Sequence, residues 1–326
     1  MPPDDGEPRD WDPRALPDLG GRTYLVTGSN RGLGFFASEQ LARAGARVIM
    51  TGRNPHRLTA ARDAIERRLR DAGRPADLDR LLLDVGNLGS MRAAAATVRV
   101  RKKLDGLLLN AGIVHPPRHR TTTRDGHELV FATNVLGHFA LAGELLVNLA
   151  AARGRMVWIG SLSSTLWRYD LDDPQLEKRY SAWRAYVQSK TAAMALGFEA
   201  DRRLRDAGVP VASVVAHPGY STSGRTPRIR GVNEPSRLGR FADNLQAPIT
   251  QSKERGAWSL VRALVDPDVE GGQYWGPRYL ARGQPIRQAS AKLTRDAEAA
   301  ARIWEVCEAA TGVRWPFARA AKRGPA

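Results

Sequence analysis

Tyr186 and Lys190 stand four residues apart in a segment that could carry acid/base chemistry. Apolar residues recur at helical spacing through residues 182–204, which predicts a helix there. Residues i and i+4 lie on one helix face, so the phenol and the ammonium would project side by side. A nearby cation lowers the pKa of a tyrosine toward working pH, as an acid/base residue requires. Such a pair is also common on ordinary helix faces, so the rest of the chain must decide its meaning.

A glycine-rich turn between a short apolar strand and a helix is the second candidate site. It consists of Gly28, Ser29, Asn30, Arg31, Gly32, Leu33 and Gly34. Glycines permit close backbone approach, and the N-terminus of the following helix offers free N–H groups to a pyrophosphate. The spacing G-x-x-x-G-x-G differs from the commoner dinucleotide fingerprint, and such a turn can also be a plain connection. Its place between strand and helix favours a nucleotide site.

The end of the second predicted strand indicates which nucleotide binds. Residues 48–53 contain no carboxylate to hold a ribose 2′-hydroxyl, and the segment ends at Arg53. Arg31, inside the glycine turn, supplies a second cation. Because the planar guanidinium matches phosphate oxygens, these residues favour a 2′-phosphate. The predicted cofactor is NADP(H), in preference to NAD(H).

Strand-like and helix-like segments alternate along most of the chain. Strands are predicted at 23–27, 47–51, 80–84, 107–110, 156–160, 211–216 and 273–275. Helices are predicted at 35–44, 56–72, 91–103, 126–152, 182–204, 252–264 and 296–311. This alternation predicts an α/β fold: a single doubly wound (Rossmann) domain with a parallel sheet of about seven strands and helices on both faces.

The chain is predicted to have one folded domain at 21–326, after a flexible, proline-rich lead-in at 1–20. Within the domain, residues 221–250 are rich in Arg, Gly and Pro. They predict a mobile loop with little regular structure, which covers the substrate. Residues 290–326 form a C-terminal helical extension, whose main helix ends at Gly312.

Composition narrows the class of protein. A chain of 326 residues can bury a hydrophobic core without disulfide bonds or a structural metal. Its single cysteine, Cys307, excludes an internal disulfide. We expect a cytoplasmic protein, because no signal segment or transmembrane run is visible. The net charge of +16 would suit nucleic acid or an anionic membrane, yet the basic residues are spread out and no nucleic-acid module accompanies them. For these reasons no nucleic-acid partner is expected. His115, His119 and His127 lack metal-ligand spacing, so no metal is expected.

Taken together, these features resemble the short-chain dehydrogenase/reductase family from about residue 21 to residue 311. The glycine turn matches the cofactor turn of that family. The resemblance implies further cofactor contacts at Asp84, Val85, Asn110, Ala111, Gly112, Pro218, Gly219 and Thr222, with Ser223 as an alternative to Thr222. Tyr186 and Lys190 match its Y-x-x-x-K motif and would also touch the cofactor.

The resemblance also implies a catalytic tetrad of Asn134, Ser161, Tyr186 and Lys190. Ser161 directly follows the fifth predicted strand, and Ser163 is the alternative serine. Tyr186 follows Ser161 by 25 residues, a longer interval than in most members. That interval resembles the retinol dehydrogenase and WW-domain oxidoreductase branch.

Each member of the tetrad has an implied role. Tyr186 exchanges a proton with the substrate oxygen, and Ser161 hydrogen-bonds that oxygen. Lys190 binds ribose hydroxyls and lowers the pKa of Tyr186, while Asn134 holds a water that relays protons to Lys190.

The expected function is NADP(H)-dependent hydride transfer between nicotinamide and a small-molecule carbonyl or alcohol, in particular reduction of a ketone or aldehyde. Two alternatives share the fold, which does not fix function: an epimerase or dehydratase, and a non-catalytic NADP(H)-sensing regulator. The resemblance implies a homodimer or homotetramer. The substrate and the physiological direction are left open by the sequence.

Overall fold

A central eight-stranded sheet organises the computed structural model, which describes residues 11–12, 15–165 and 169–323. The strands of this sheet are β1 Thr23–Val26, β2 Arg47–Gly52, β3 Asp77–Leu82, β4 Gly106–Leu109, β5 Arg155–Ile159, β6 Ala212–Ala216, β9 Tyr274–Pro277 and β10 Pro285–Gln288. Their order is β10-β9-β6-β5-β4-β1-β2-β3. Seven strands are parallel, as predicted, and β10 pairs antiparallel with β9 at one edge. Two short strands, β7 Ser221–Thr222 and β8 Gln251–Ser252, form a separate parallel pair.

Helices cover both faces of the sheet, as the doubly wound prediction requires. They are α1 Gly32–Arg43, α2 Pro55–Asp71, α3 Leu88–Arg99, α4 Leu129–Phe131, α5 Gly137–Glu144, α6 Leu146–Ala152, α7 Ala182–Asp206, α8 Arg237–Leu245, α9 Lys253–Val265, α10 Ala297–Thr311 and α11 Phe317–Ala321. Alternate residues of a strand point to opposite faces. In β1, Tyr24 and Val26 pack with α1, α2 and α9, whereas Leu25 packs with α3, α5, α6, α7 and α10. Both layers of core are therefore built from the same strands.

The point where the strand order reverses lies between β1 and β4. After β1 the chain proceeds outward through β2 and β3, and then returns to place β4 on the other side of β1. Ligands of doubly wound folds bind in the crevice at the carboxyl ends of the strands at such a point. The glycine turn follows β1, and Asn110 follows β4, so both predicted cofactor segments border this crevice.

The single long helix predicted at 126–152 is wrong. Gly126 lies in a turn at φ +84°, and both carboxylate oxygens of Glu128 accept backbone N–H groups, from Val130 and Phe131, so the helix begins only at Leu129. A π-helical turn, Ala132–Leu136, then separates α4 from α5. A 57° bend divides the run Leu129–Glu144 from α6. Hydrophobic spacing alone does not reveal a π-turn or a bend.

The predicted irregular loop at 221–250 is also partly wrong, because it contains β7, α8 and the 3-10 turn Ala247–Ile249. The hydroxyl of Ser236 caps α8 by accepting the N–H of Gly239. The carboxylate of Asp243 accepts the N–H of Gly224, which ties α8 to the start of the segment. The outer face of α8 and the following turn is apolar and exposed; its residues are Leu238, Phe241, Leu245 and Ile249.

One strand position and one additional strand also differ from prediction. The third strand is Asp77–Leu82 instead of 80–84, because its register against β2 ends where Leu82 pairs with Gly52. Residues 77 and 79 belong to the strand although they are polar, and each carboxylate pairs with an arginine, Asp77 with Arg47 and Asp79 with Arg101. Strand β10 has no apolar alternation and was not predicted.

The C-terminal extension packs on the sheet face that carries α7. Asp296 caps α10, which ends where Gly312 takes φ +67°, as predicted. Trp304 and Trp315 are buried against Phe139. Within the described residues, no single helix is long and apolar enough to cross a membrane, although one bent pair, Leu129–Glu144 with Leu146–Ala152, meets that test by length and composition alone.

Candidate active site

The glycine turn is shaped by close backbone contacts. Gly28 takes φ +68°, and a Cβ there would lie 2.9 Å from Cα of Ala111. A Cβ at Gly34 would lie 2.5 Å from both the side-chain nitrogen of Asn110 and the carbonyl oxygen of Gly28. Gly32 takes φ +63° at the start of α1, whose first turn contains no acidic residue. The turn therefore presents the positive end of a helix dipole with room for an anion.

Thr27, at the end of β1, joins the glycine turn to the segment after β4. Its hydroxyl oxygen accepts the N–H groups of Asn110 at 2.8 Å and Ala111 at 2.9 Å, and Asn110 donates its side-chain amide back to the Thr27 carbonyl. The Thr27 hydroxyl also lies 3.0 Å from Nε2 of His138. Asn110 and Ala111 are thereby fixed beside the turn, as their predicted cofactor role requires.

Asn134 lies on the π-helical turn and its side-chain amide is fully hydrogen-bonded. Its Oδ1 accepts the N–H of Ile113 at 2.8 Å, and its Nδ2 donates to the Ile113 carbonyl at 3.2 Å and to the Ser189 hydroxyl at 2.9 Å. Ser189 in turn donates to the carbonyl of Tyr186. The side chain of Asn134 thus braces the turn of α7 that carries Tyr186.

Tyr186 and Ser161 meet at the carboxyl end of β5. The phenol oxygen of Tyr186 lies 3.4 Å from Oγ of Ser161. Ser163 bonds to Ser161 instead of Tyr186: the two hydroxyl oxygens are 2.8 Å apart, and the Ser163 N–H also donates to Ser161. The hydroxyl of Ser164 is buried and donates to the Ser161 carbonyl. The geometry therefore favours Ser161 as the partner of the tyrosine.

Lys190 projects from the next turn of α7 into a buried position. Its ammonium donates to the carbonyl of Ile159 at 3.1 Å, and burial lowers its pKa from 10.5 to about 8. The expected lowering of the Tyr186 pKa is not observed. Burial raises the pKa of Tyr186, and the hydrogen bond with Ser161 offsets part of that rise. Tyr186 is thus a protonated phenol at neutral pH, which suits a proton donor.

His138 connects the catalytic residues to Thr27. Burial lowers its pKa to about 3, so the imidazole is neutral. Nδ1 lies 3.3 Å from the Asn134 carbonyl, an acceptor, so the proton is assigned to Nδ1 and Nε2 accepts from Thr27. Neither Thr27, His138 nor Ser189 was predicted as a site residue. Each is a polar residue in an otherwise apolar, buried segment. The sequence shows that pattern, but it does not show which residues each side chain contacts.

Residues 29–33 and 53 differ in what they offer a ligand. Ser29 is buried, and its hydroxyl donates to Val26 and accepts the N–H of Thr51 at 2.7 Å. Its side chain thus ties the turn to β2. Arg31 and Arg53 are exposed at the edge of the crevice. The remaining predicted residues of the turn pack against neighbours: Asn30 lies near Gly52, and Leu33 near Gly256.

The predicted cofactor residues Asp84 and Val85 follow β3. Asp84 follows the strand and its carboxylate accepts the N–H of Gly86. Val85 is buried, with its carbonyl against Gly137, where a Cβ would collide with it. Gly112, which follows β4, is closely packed, since a Cβ there would lie 3.1 Å from Oδ1 of Asn134.

The segment after β6 holds the last predicted contacts. Gly219, after Pro218, takes φ +64°, and a side chain there would collide with the carbonyl of Ala281. Thr222 is only 8% exposed, and its hydroxyl has no hydrogen-bond partner within the described chain. A buried hydroxyl without a partner is costly unless a ligand completes it. This unpaired group, with the open glycine turn, fits a bound dinucleotide.

Comparison with known proteins agrees with this geometry. The family described as short chain dehydrogenase matches residues 22–230. The chain belongs to that family. It is therefore an oxidoreductase that uses a nicotinamide cofactor and acts on small molecules. Among the residues the structure describes, no group of three or more His, Cys, Asp or Glu side chains could hold a metal.

Individual relatives place the chain in the retinol dehydrogenase-like branch. Retinol dehydrogenase 14 of Mus musculus is 33% identical over 307 residues, 90% of this chain and 86% of the relative. DnrU of Streptomyces sp. (strain C5), provisionally named a daunorubicin C-13 ketoreductase, is 35% identical over 298 residues, 90% of this chain and 94% of the relative. A crystal structure of an uncharacterized protein from Mycobacterium paratuberculosis has a TM-score of 0.75 and 31% identity, covering 94% of this chain and 99% of that one.

Proposed function

We propose that this enzyme is an NADP(H)-dependent reductase of ketone or aldehyde carbonyls, which can run in reverse on the corresponding alcohol. The observation that carries the proposal is the Tyr186 phenol, held 3.4 Å from the Ser161 hydroxyl beside the cofactor crevice. The pKa of Tyr186 is raised by burial, so the phenol is protonated and able to act as an acid. The provisional name of the Streptomyces relative, a ketoreductase, supports the same direction.

The bound nicotinamide supplies the hydride, and the chain supplies the proton and the positioning. In reduction, the Tyr186 hydroxyl gives its proton to the substrate oxygen while the carbonyl carbon gains the hydride. Ser161 donates a hydrogen bond to the same oxygen and stabilises the charge that develops there. The ammonium of Lys190 is held by the Ile159 carbonyl, and its remaining N–H groups are available to ribose hydroxyls.

The preference for NADP(H) rests on two exposed arginines. Arg53 directly follows β2, which carries no carboxylate at its end, and Arg31 lies in the glycine turn. An acidic residue at that strand end would bind a ribose 2′-hydroxyl, whereas guanidinium groups accommodate a 2′-phosphate. We therefore expect Arg53→Gln to weaken NADPH binding and to leave NADH binding nearly unchanged.

Oxidation of NADPH across a panel of ketones and aldehydes, with NADH as comparison, tests the function. We expect turnover with NADPH on at least one carbonyl and a lower kcat/KM with NADH. Tyr186→Phe should fold and bind NADPH, yet turn over no substrate. Undiminished activity in that variant would exclude the proposed acid. Wild-type protein that binds NADPH but turns over no carbonyl or alcohol would instead favour a cofactor-sensing regulator.

A further inference from the structure

Lys253, the first residue of α9, extends its side chain over the glycine turn. A Cβ at Gly32 would lie 3.7 Å from Cδ of Lys253 and 4.0 Å from its ammonium nitrogen. Gly32 begins α1, where free backbone N–H groups favour a phosphate. Lys253 thus approaches from outside the turn and faces the same point as the helix N-terminus.

The position of Lys253 is fixed by a segment after β6. The pairing of β7 with β8 places Thr222 opposite Ser252, so the residues on either side of this pair lie together. The Lys253 ammonium donates to the Ser223 hydroxyl at 2.6 Å, and the Lys253 backbone N–H donates to the Thr226 hydroxyl at 2.9 Å. A long side chain that only covered a helix interface would extend its ammonium to solvent. This one is held at the turn.

The charge on Lys253 has no counter-charge in contact. Within the described residues, no carboxylate oxygen forms an ion pair with its ammonium. Burial lowers the pKa of Lys253, and the positive charge of Arg31 lowers it further, while Asp243 raises it at longer range. Two cations thus converge on the phosphate-binding end of α1 without an adjacent carboxylate. Placing a partly buried ammonium there is unfavourable unless an anion joins it.

We propose that Lys253 is a pyrophosphate-binding residue, which α9 supplies to the cofactor site and Ser223 holds in place. This assignment rests on the proposed function, because it requires a dinucleotide in the crevice. It separates two tasks: Lys253 binds the phosphates common to both nicotinamide nucleotides, and Arg31 with Arg53 binds the 2′-phosphate. Because Ser223 is adjacent to Thr222, the same contact links phosphate binding to the segment that precedes α8.

Dissociation constants of Lys253→Gln for NADPH and NADH, measured by calorimetry without substrate, test this assignment. Loss of a charge-assisted phosphate contact should raise both dissociation constants about ten- to a hundredfold, by nearly the same factor. Lys253→Arg should recover most of the affinity. Lys292→Gln, a change of an exposed lysine in the 3-10 turn Lys292–Thr294, is the matched control and should bind as wild type does.

Each contrary outcome has its own meaning. A loss confined to NADPH would assign Lys253 to the 2′-phosphate and overturn the pyrophosphate assignment, as would unchanged affinity for both nucleotides. Ser223→Ala leaves the lysine but removes its hydroxyl partner, so it should weaken the binding of both nucleotides by a smaller, equal factor. If Lys253→Gln does not fold, this variant tests the pyrophosphate assignment in its place. Wild-type protein that binds neither nucleotide would refute the proposed function itself.

Discussion

Replacement of Lys190 by methionine should stabilise the fold at neutral pH while it abolishes activity. The side chain is only 7% exposed, and its pKa falls from 10.5 to about 8 because burial disfavours the ammonium. That difference corresponds to about 3 kcal/mol of folding free energy. Methionine has a similar volume but leaves the Ile159 carbonyl without this donor, which costs about 1–2 kcal/mol. The variant should therefore unfold with a free energy about 1–2 kcal/mol higher at pH 7.

The stability gained by Lys190→Met should depend on pH. Because the folded pKa of Lys190 is lowered, the penalty is fully present below about pH 8 and fades as pH rises toward 10.5. The advantage of Lys190→Met should thus disappear or reverse by about pH 10. Urea unfolding at pH 7 and pH 10, at equal m-value, measures it, with Lys103→Met as an exposed control. A variant less stable than wild type at pH 7, or an advantage that persists unchanged at pH 10, would refute the reasoning.

Other predictions concern the remaining site residues. Ser161→Ala should lower kcat for carbonyl reduction about a hundredfold or more, whereas Ser163→Ala should keep most of it; the reverse order would exchange their roles. The value of kcat/KM for NADPH should fall above about pH 8, as free-enzyme Lys190 loses its proton, and a flat profile to pH 10 would contradict this. Gly34→Ala should cost about 1–3 kcal/mol in urea unfolding and weaken NADPH binding, because its methyl would meet Asn110, and wild-type values for both would contradict it.

The sequence was most informative where burial follows a regular period. The apolar runs of β1, β2, β4, β5 and β6 and the end of α10 at Gly312 were sufficient to predict those elements, whereas the polar start of β3 was missed. The π-turn at Ala132–Leu136 keeps a helical spacing over a few residues, so only the backbone hydrogen bonds distinguish it. Helix α8 was missed for another reason: Leu238, Phe241 and Leu245 recur at helical spacing, but the arginines and glycines around them are typical of loops.

In the candidate site, too, residue types could be predicted from the sequence, whereas side-chain contacts and burial could not. Residue types and spacing identified Tyr186, Lys190 and the glycine turn, because the chemistry demands those types in that order. The direction in which a side chain points is set by tertiary contacts, so the hydrogen bond from the Thr51 N–H to the Ser29 hydroxyl could not be read from the sequence. The direction of the Tyr186 pKa shift was mispredicted for the same reason, since burial raises this pKa and burial cannot be read from spacing.

The π-turn explains how the cofactor crevice and the tyrosine can share one support. From this turn, Asn134 reaches Ser189, and hence the Tyr186 carbonyl, with its side chain, while its main-chain carbonyl accepts from His138. His138 continues the link to Thr27, which fixes the backbone after β4. The neutrality of His138, whose pKa is about 3, is needed for this arrangement, because an imidazolium could not accept from Thr27 and would oppose the nearby charge of Lys190. Burial of one histidine therefore preserves the hydrogen-bonded link and avoids a second positive charge beside Lys190.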